Sequence, residues 1–130
     1  MPSGGSGEGS KLYEGPGAVK WRDMVYRGFR DDIELPNGVK SMREYVKHNG
    51  AVAVIPITDD GNIILERQYR YAVGQTIIEI PAGKLDSVDE DPTSAALREL
   101  KEETGATPRE MIYLGEYYGS PAILSEKIFM

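Results

Sequence analysis

The sequence predicts an α/β fold in which short strands surround one strong helix. Three observations carry this: a helix at residues 92–104 with a start and a stop signal, a nearly continuous apolar run from Ala51 to Ile57, and turn signals that cut the remainder into strand-length pieces.

Taken in order, residues 1–10 (MPSGGSGEGS) are glycine- and serine-rich with almost nothing to bury, and read as a flexible tail. Residues 11–46 read as an N-terminal antiparallel strand region. Within it residues 11–13, 19–26 and 27–34 alternate as a meander, Pro36-Asn37-Gly38 is a turn, and residues 40–46 return. Residues 47–130 form the main domain. There the run Ala51-Val52-Ala53-Val54-Ile55-Pro56-Ile57 is expected as a buried central strand. Asp59-Asp60-Gly61-Asn62 turns the chain, residues 63–69 pair back, and residues 76–80 lead into a glycine loop. Asp91 is a good N-cap, Pro92 suits the first helical position, and Gly105 stands where a left-handed cap is expected. Ala96, Leu97 and Leu100 are predicted to face inward. Residues 112–118 and 127–130 complete the strands, and no internal repeat is visible.

At 130 residues the chain suits a single domain with a real core. A net charge of −6 argues against general nucleic-acid binding, which needs a basic stripe. The absence of cysteine excludes disulfides, zinc–thiolate sites and cysteine nucleophiles. No apolar run approaches the roughly 18 residues of a membrane span, so the membrane is not an expected partner and the cytoplasm is the default location. The single histidine, His48, beside Asn49-Gly50, reads as a polar loop residue.

The chemistry concentrates in Arg98-Glu99-Leu100-Lys101-Glu102-Glu103. Residues three and four apart share a helix face, so Glu99, Glu102 and Glu103 are predicted to lie within a few ångströms of one another. Their mutual repulsion calls for a cation, and an all-oxygen donor set suits a hard divalent ion, Mg²⁺ or Mn²⁺. The competing reading is a solvated acidic face with Arg98 paired to Glu102.

The segment from Gly83 to Ala106 resembles the Nudix box: Gly, five residues, Glu, seven residues, Arg-Glu-apolar-x-Glu-Glu-x-Gly-apolar. Gly83, Glu90, Arg98, Glu99, Leu100, Glu102, Glu103, Gly105 and Ala106 fill it, with six residues instead of five between Gly83 and Glu90. Added length in a turn costs little. Glu79-Ile80-Pro81-Ala82-Gly83, Arg67-Gln68-Tyr69-Arg70-Tyr71, Ser120-Pro121 and Ser125-Glu126 extend the resemblance to the ADP-ribose pyrophosphatase branch.

That resemblance implies a Nudix-type α/β/α sandwich with a mixed sheet, and hydrolysis of a nucleoside diphosphate linked to another moiety. ADP-ribose giving AMP and ribose 5-phosphate is favoured. GDP-mannose or another nucleotide sugar, and a non-catalytic Nudix-like binding fragment, are the alternatives. It implies Glu99, Glu102, Glu103 and the Ala82 carbonyl as metal ligands, and Arg98 in the catalytic set as an orienting partner of Glu90. Gly83 and Gly105 are structural positions of the motif. Arg70, Glu79 and Glu126 are candidates for substrate binding, and Glu79 has Lys84 as an alternative partner. Trp21, Tyr13, Tyr26 and Tyr45 are candidates for stacking on a base, with strand packing as the competing role. A homodimer in which residues 11–46 reach the partner is implied as well. Family members continue past the position of Met130 through a loop that often supplies the general base and into a second helix, so this chain is expected to be partial, with a sheet face uncovered.

Overall fold

The computed structural model describes residues 7–8 and 28–130. The predicted strands at 11–13 and 19–26, with Tyr13, Trp21 and Tyr26, lie outside the described residues. The chain divides into two compact units, Met1–His48 with Gly119–Glu126, and Asn49–Tyr118 with Lys127–Met130.

The first unit holds an antiparallel sheet of β1 (Gly7–Glu8), β2 (Gly28–Glu34) and β3 (Lys40–Val46). β2 and β3 pair over their full length, from Gly28 opposite Val46 to Glu34 opposite Lys40. The turn forms where Pro36-Asn37-Gly38 predicts it: the Leu35 amide donates to the Val39 carbonyl at 2.8 Å, and Gly38 takes φ 83°, open to glycine at no steric cost. Gly7–Glu8, expected in a flexible tail, instead pairs with Arg30 and Phe29; an open strand edge recruits backbone whatever the side chains. The segment 119–126 joins this unit by a parallel bridge between Val46 and Leu124.

The second unit contains a mixed sheet in the order β7-β4-β9-β8, built from β4 (Ala51–Ala53), β7 (Ala82–Lys84), β8 (Glu116–Tyr118) and β9 (Lys127–Phe129). β4 runs antiparallel to β7 and parallel to β9. A separate hairpin pairs β5 (Glu66–Arg70) with β6 (Gln75–Glu79). The helix α1 spans Pro92–Thr104 as predicted. Val52, Leu85, Ala95 and Ala96 form the core between helix and sheet, with Val54 and Phe129 packed against it and Leu100 buried beside them. Burying Val52, Leu85 and Leu100 contributes about 1.5–3 kcal/mol each.

Three expectations need correction. The run from Ala51 to Ile57 is not one buried strand: ladder pairing stops at Ala53, and Ile55 and Ile57 are exposed. Pro56 has no N–H to give a ladder, which is why a central strand cannot continue through it. Residues 63–69 therefore pair back only next to the turn, where Ile57 bridges Ile63, the Thr58 amide donates to the Asn62 carbonyl at 2.8 Å and the Ile64 amide to the Pro56 carbonyl at 3.0 Å; β5 pairs with β6 instead. On α1, Ala95 rather than Leu97 completes the inward face, and Leu97 is 38% exposed.

Candidate active site

The site begins with how α1 is anchored. The Asp91 carboxylate accepts hydrogen bonds from the Ser94 amide at 3.0 Å and hydroxyl at 2.8 Å, and these hold its pKa below the usual carboxylate value. Gly105 ends the helix at φ 74°, its amide bonded to the Lys101 carbonyl. With the helix fixed at both ends and Ala95, Ala96 and Leu100 inward, the 3.6-residue period carries Glu99 and Glu103 onto the side that meets β7 and β5.

Gly83 shows how closely they meet. A Cβ at this position would overlap the Glu99 carboxylate, so Gly83 is required here for close approach. Burial is the main reason that the Glu99 pKa is raised, with Glu102, Asp86 and Glu90 adding to it and Arg98 opposing. Glu103 is pushed up to about 7, first by burial, then by a hydrogen bond shared with Glu66 and by the charges of Glu66 and Glu99; the Ala82 amide, donating to Glu103, pulls the other way.

Arg98 does not pair with Glu102 along the helix. Its Nη2 donates to Glu90 Oε1 at 2.8 Å, and Glu90 Oε2 accepts the Asp86 amide at 2.6 Å, so Glu90 joins loop to helix. Asp86 and Glu99 lie 3.5 and 3.6 Å from Arg98 Nη1. Arg70 donates from Nε and Nη2 to the two Glu79 oxygens, each at 2.8 Å, so Arg70 grips Glu79 through both oxygens.

The predicted triad of carboxylates is not assembled as expected. Among the described residues no three of His, Cys, Asp and Glu converge closely enough to hold an ion between them. Glu99 lies on Gly83, Glu103 turns to Glu66 and the Ala82 amide at the surface, and Glu102 is exposed beside it. Like charges separate in this way unless a cation draws them together. The residues nevertheless fit a hard divalent ion, since the donors they offer are carboxylate oxygens.

Glu66 is the residue that sequence reasoning misses. Strand alternation from Arg70 places it on the same face, four residues earlier, and the register sets it opposite Glu79. Of the aromatic candidates, Tyr45 stacks on Phe29 with ring centroids 5.6 Å apart and donates its hydroxyl to Asp31 at 2.9 Å, the packing role. His48 is not a plain loop residue: its side chain is 6% exposed, and Nε2 lies 3.2 Å from Glu126 Oε2. A cavity of about 960 Å³ runs past Val54, Ala96, Leu100 and Ile112; none of the box glutamates lines it, so this apolar hollow stands apart from the carboxylates of α1.

A family model described as the NUDIX domain matches residues 47–128, the stretch containing all of these glutamates and their partners. The chain belongs to the Nudix family. The relatives of this Nudix chain include an ADP-ribose pyrophosphatase of Bacillus subtilis, 51% identical over 110 residues, covering 81% of the chain and 59% of that protein. They also include a methanol dehydrogenase activator of Bacillus methanolicus, 50% identical, covering 77% of the chain and 54% of that protein. An ADP-ribose pyrophosphatase of Mycobacterium tuberculosis is 38% identical, with coverage of 76% and 48%. The solved structure of an ADP compounds hydrolase superposes with TM-score 0.70 at 29% identity, covering 81% of this chain and 57% of that one. The mixed sheet with α1, the one α-helix among the described residues, thus matches the Nudix α/β/α sandwich. The chain spans about half the length of the curated relatives it matches.

Proposed function

We propose that this Nudix chain serves metal-dependent hydrolysis of a nucleoside diphosphate linked to a second moiety, with ADP-ribose, giving AMP and ribose 5-phosphate, as the favoured substrate. The observation that carries the reading is the pair Glu99 and Glu103 on one side of α1, one against Gly83 and the other pushed up to about 7 among neighbouring carboxylates. Similarity to two ADP-ribose pyrophosphatases and an ADP compounds hydrolase supports the substrate class.

In this reading Glu99 and Glu103 hold the cation, with Glu102 and the Ala82 carbonyl completing the donor set. When bound, Mg²⁺ or Mn²⁺ neutralises phosphate charge and lowers the pKa of a water. Glu90 and Arg98 keep loop and helix in register, so that Gly83 and Glu99 stay in contact. Arg70 meets a substrate phosphate by exchanging the Glu79 carboxylate for it, since a guanidinium fork fits either. We assign a cytoplasmic enzyme.

The test is AMP release from ADP-ribose with Mg²⁺, beside Glu103→Gln. The wild-type chain is expected to release AMP and the variant to lose at least about a hundredfold in rate, within the range for losing a key electrostatic group. Equal rates would sink the proposal. We also propose a homodimer, supported by Ile57 and Ile112, exposed apolar side chains that line one hollow of the second unit. Light scattering that reads a stable monomer at all concentrations would overturn it.

A further inference from the structure

We infer that Glu79 is a specificity-determining residue of the reaction proposed above: in the free protein its carboxylate stands on Arg70 in the place of a substrate phosphate, and only an anion that takes both guanidinium donors displaces it. This rests on the proposed function, in which Arg70 meets that phosphate. Arg70, Glu79, Glu66 and Glu103 all belong to the second unit. Arg70 closes β5 and Glu79 closes β6, and the register sets Glu79 opposite Glu66, four residues before Arg70. The Arg70 side chain therefore runs back along β5 to reach its partner, where Nε and Nη2 donate to the two Glu79 oxygens at 2.8 Å each.

That reach brings the guanidinium beside the carboxylates of the box. The hydrogen bonds to Glu79 are the main reason that the Arg70 pKa is raised; the charges of Glu79, Glu66 and Glu103 add to it, and burial opposes. Glu103 in turn accepts from the amide of Ala82, three residues beyond Glu79. The pair is open to solvent, with the Arg70 side chain 47% exposed, so an incoming anion has access to it. A carboxylate and a phosphate offer the fork the same two acceptor oxygens. A neutral hydroxyl offers one oxygen and no charge, so it leaves Glu79 in place. Glu79 thus sets a threshold that a diphosphate passes and an uncharged sugar or nucleoside does not.

The experiment titrates AMP and adenosine calorimetrically into chelator-treated wild type, Glu79→Gln, Arg70→Ala and the Arg70→Ala/Glu79→Gln pair, beside ADP-ribose hydrolysis with Mg²⁺. The chelator removes any hold of a cation on the phosphate. Glu79→Gln is expected to bind AMP about fivefold more tightly than wild type, because a paired Arg70 is competent for phosphate only part of the time. Adenosine, which lacks the phosphate, is expected to bind both alike. In the pair the AMP gain is expected to vanish, since its route is Arg70. AMP bound no more tightly by Glu79→Gln than by wild type, undetectable AMP binding in both, an equal gain for adenosine, or a gain that persists in the pair overturns the inference. If Glu79→Gln does not fold, Glu79→Asp, too short to keep both bonds, decides in its place: a gain in AMP affinity supports the inference and no gain overturns it. Hydrolysis separates the two claims. AMP release from ADP-ribose without the Glu79→Gln gain overturns the role of Glu79 alone; the gain without release overturns the hydrolase reading and leaves Glu79 as the internal competitor for phosphate.

Discussion

Gly83 is the residue on which the site turns most directly. Its missing side chain is the space into which the Glu99 carboxylate fits, and the atoms a Cβ would meet are the far end of a flexible side chain, not backbone. Gly83→Ala is therefore expected to displace Glu99 and leave the fold standing. Calorimetric titration with Mn²⁺ should show metal affinity reduced about tenfold or more, comparable to disturbing a ligand's support, while the melting temperature moves by only a few degrees. Unchanged affinity would contradict the assignment of Glu99. At this scale the motif glycine and glutamates are legible in the sequence because fixed spacing announces them. Glu66 is not, since its relation to Glu103 depends on where a hairpin 30-odd residues upstream comes to rest, roughly the separation at which local pattern says nothing.

At the scale of elements, α1 is legible to the residue because its signals are local: Asp91, Pro92 and Gly105 act within one turn of where they stand. The strand at Ala51–Ala53 looks longer in the sequence than it is, because apolar character persists to Ile57 while Pro56 withdraws the ladder donor. Leu97 misleads for a related reason. Helical periodicity marks a broad apolar stripe, and the packing of Ala95 against Val52 and Leu85 decides which edge of that stripe is inside. Leu100 is the one large side chain of α1 that is buried, at 1% exposure, so Leu100→Ala is expected to cost about 2–5 kcal/mol in chemical denaturation. Leu97→Ala, in contrast, should cost under about 1 kcal/mol, as surface substitutions do. Equal losses in the two would mean that the helix is rotated from the position described.

For the whole molecule, the raised carboxylates link stability to pH. Glu103 has a folded pKa of about 7, above its ordinary 4.5, so its contribution is fully present below about 4.5 and is lost as pH rises through 7. Glu99 shifts in the same direction. Metal binding requires the deprotonated ligands, so added Mg²⁺ restores at high pH what the free carboxylates lose. The melting temperature gained on adding Mg²⁺ to chelator-treated protein is expected to grow between pH 5 and pH 8, and to grow less in Glu103→Gln. An increment that is flat with pH in the wild type would rule this linkage out.

The loop between Gly83 and the helix is one residue longer than the family pattern, yet Glu90 still reaches both Arg98 and the Asp86 amide. That double grip closes a small ring of chain whose outer rim, Ser87 to Asp89, is exposed. The ring separates the length of the loop from the geometry of the proposed metal ligands. The rim is thus the natural place for the sequence to drift, or for a label to be inserted, without moving Gly83 or Glu99.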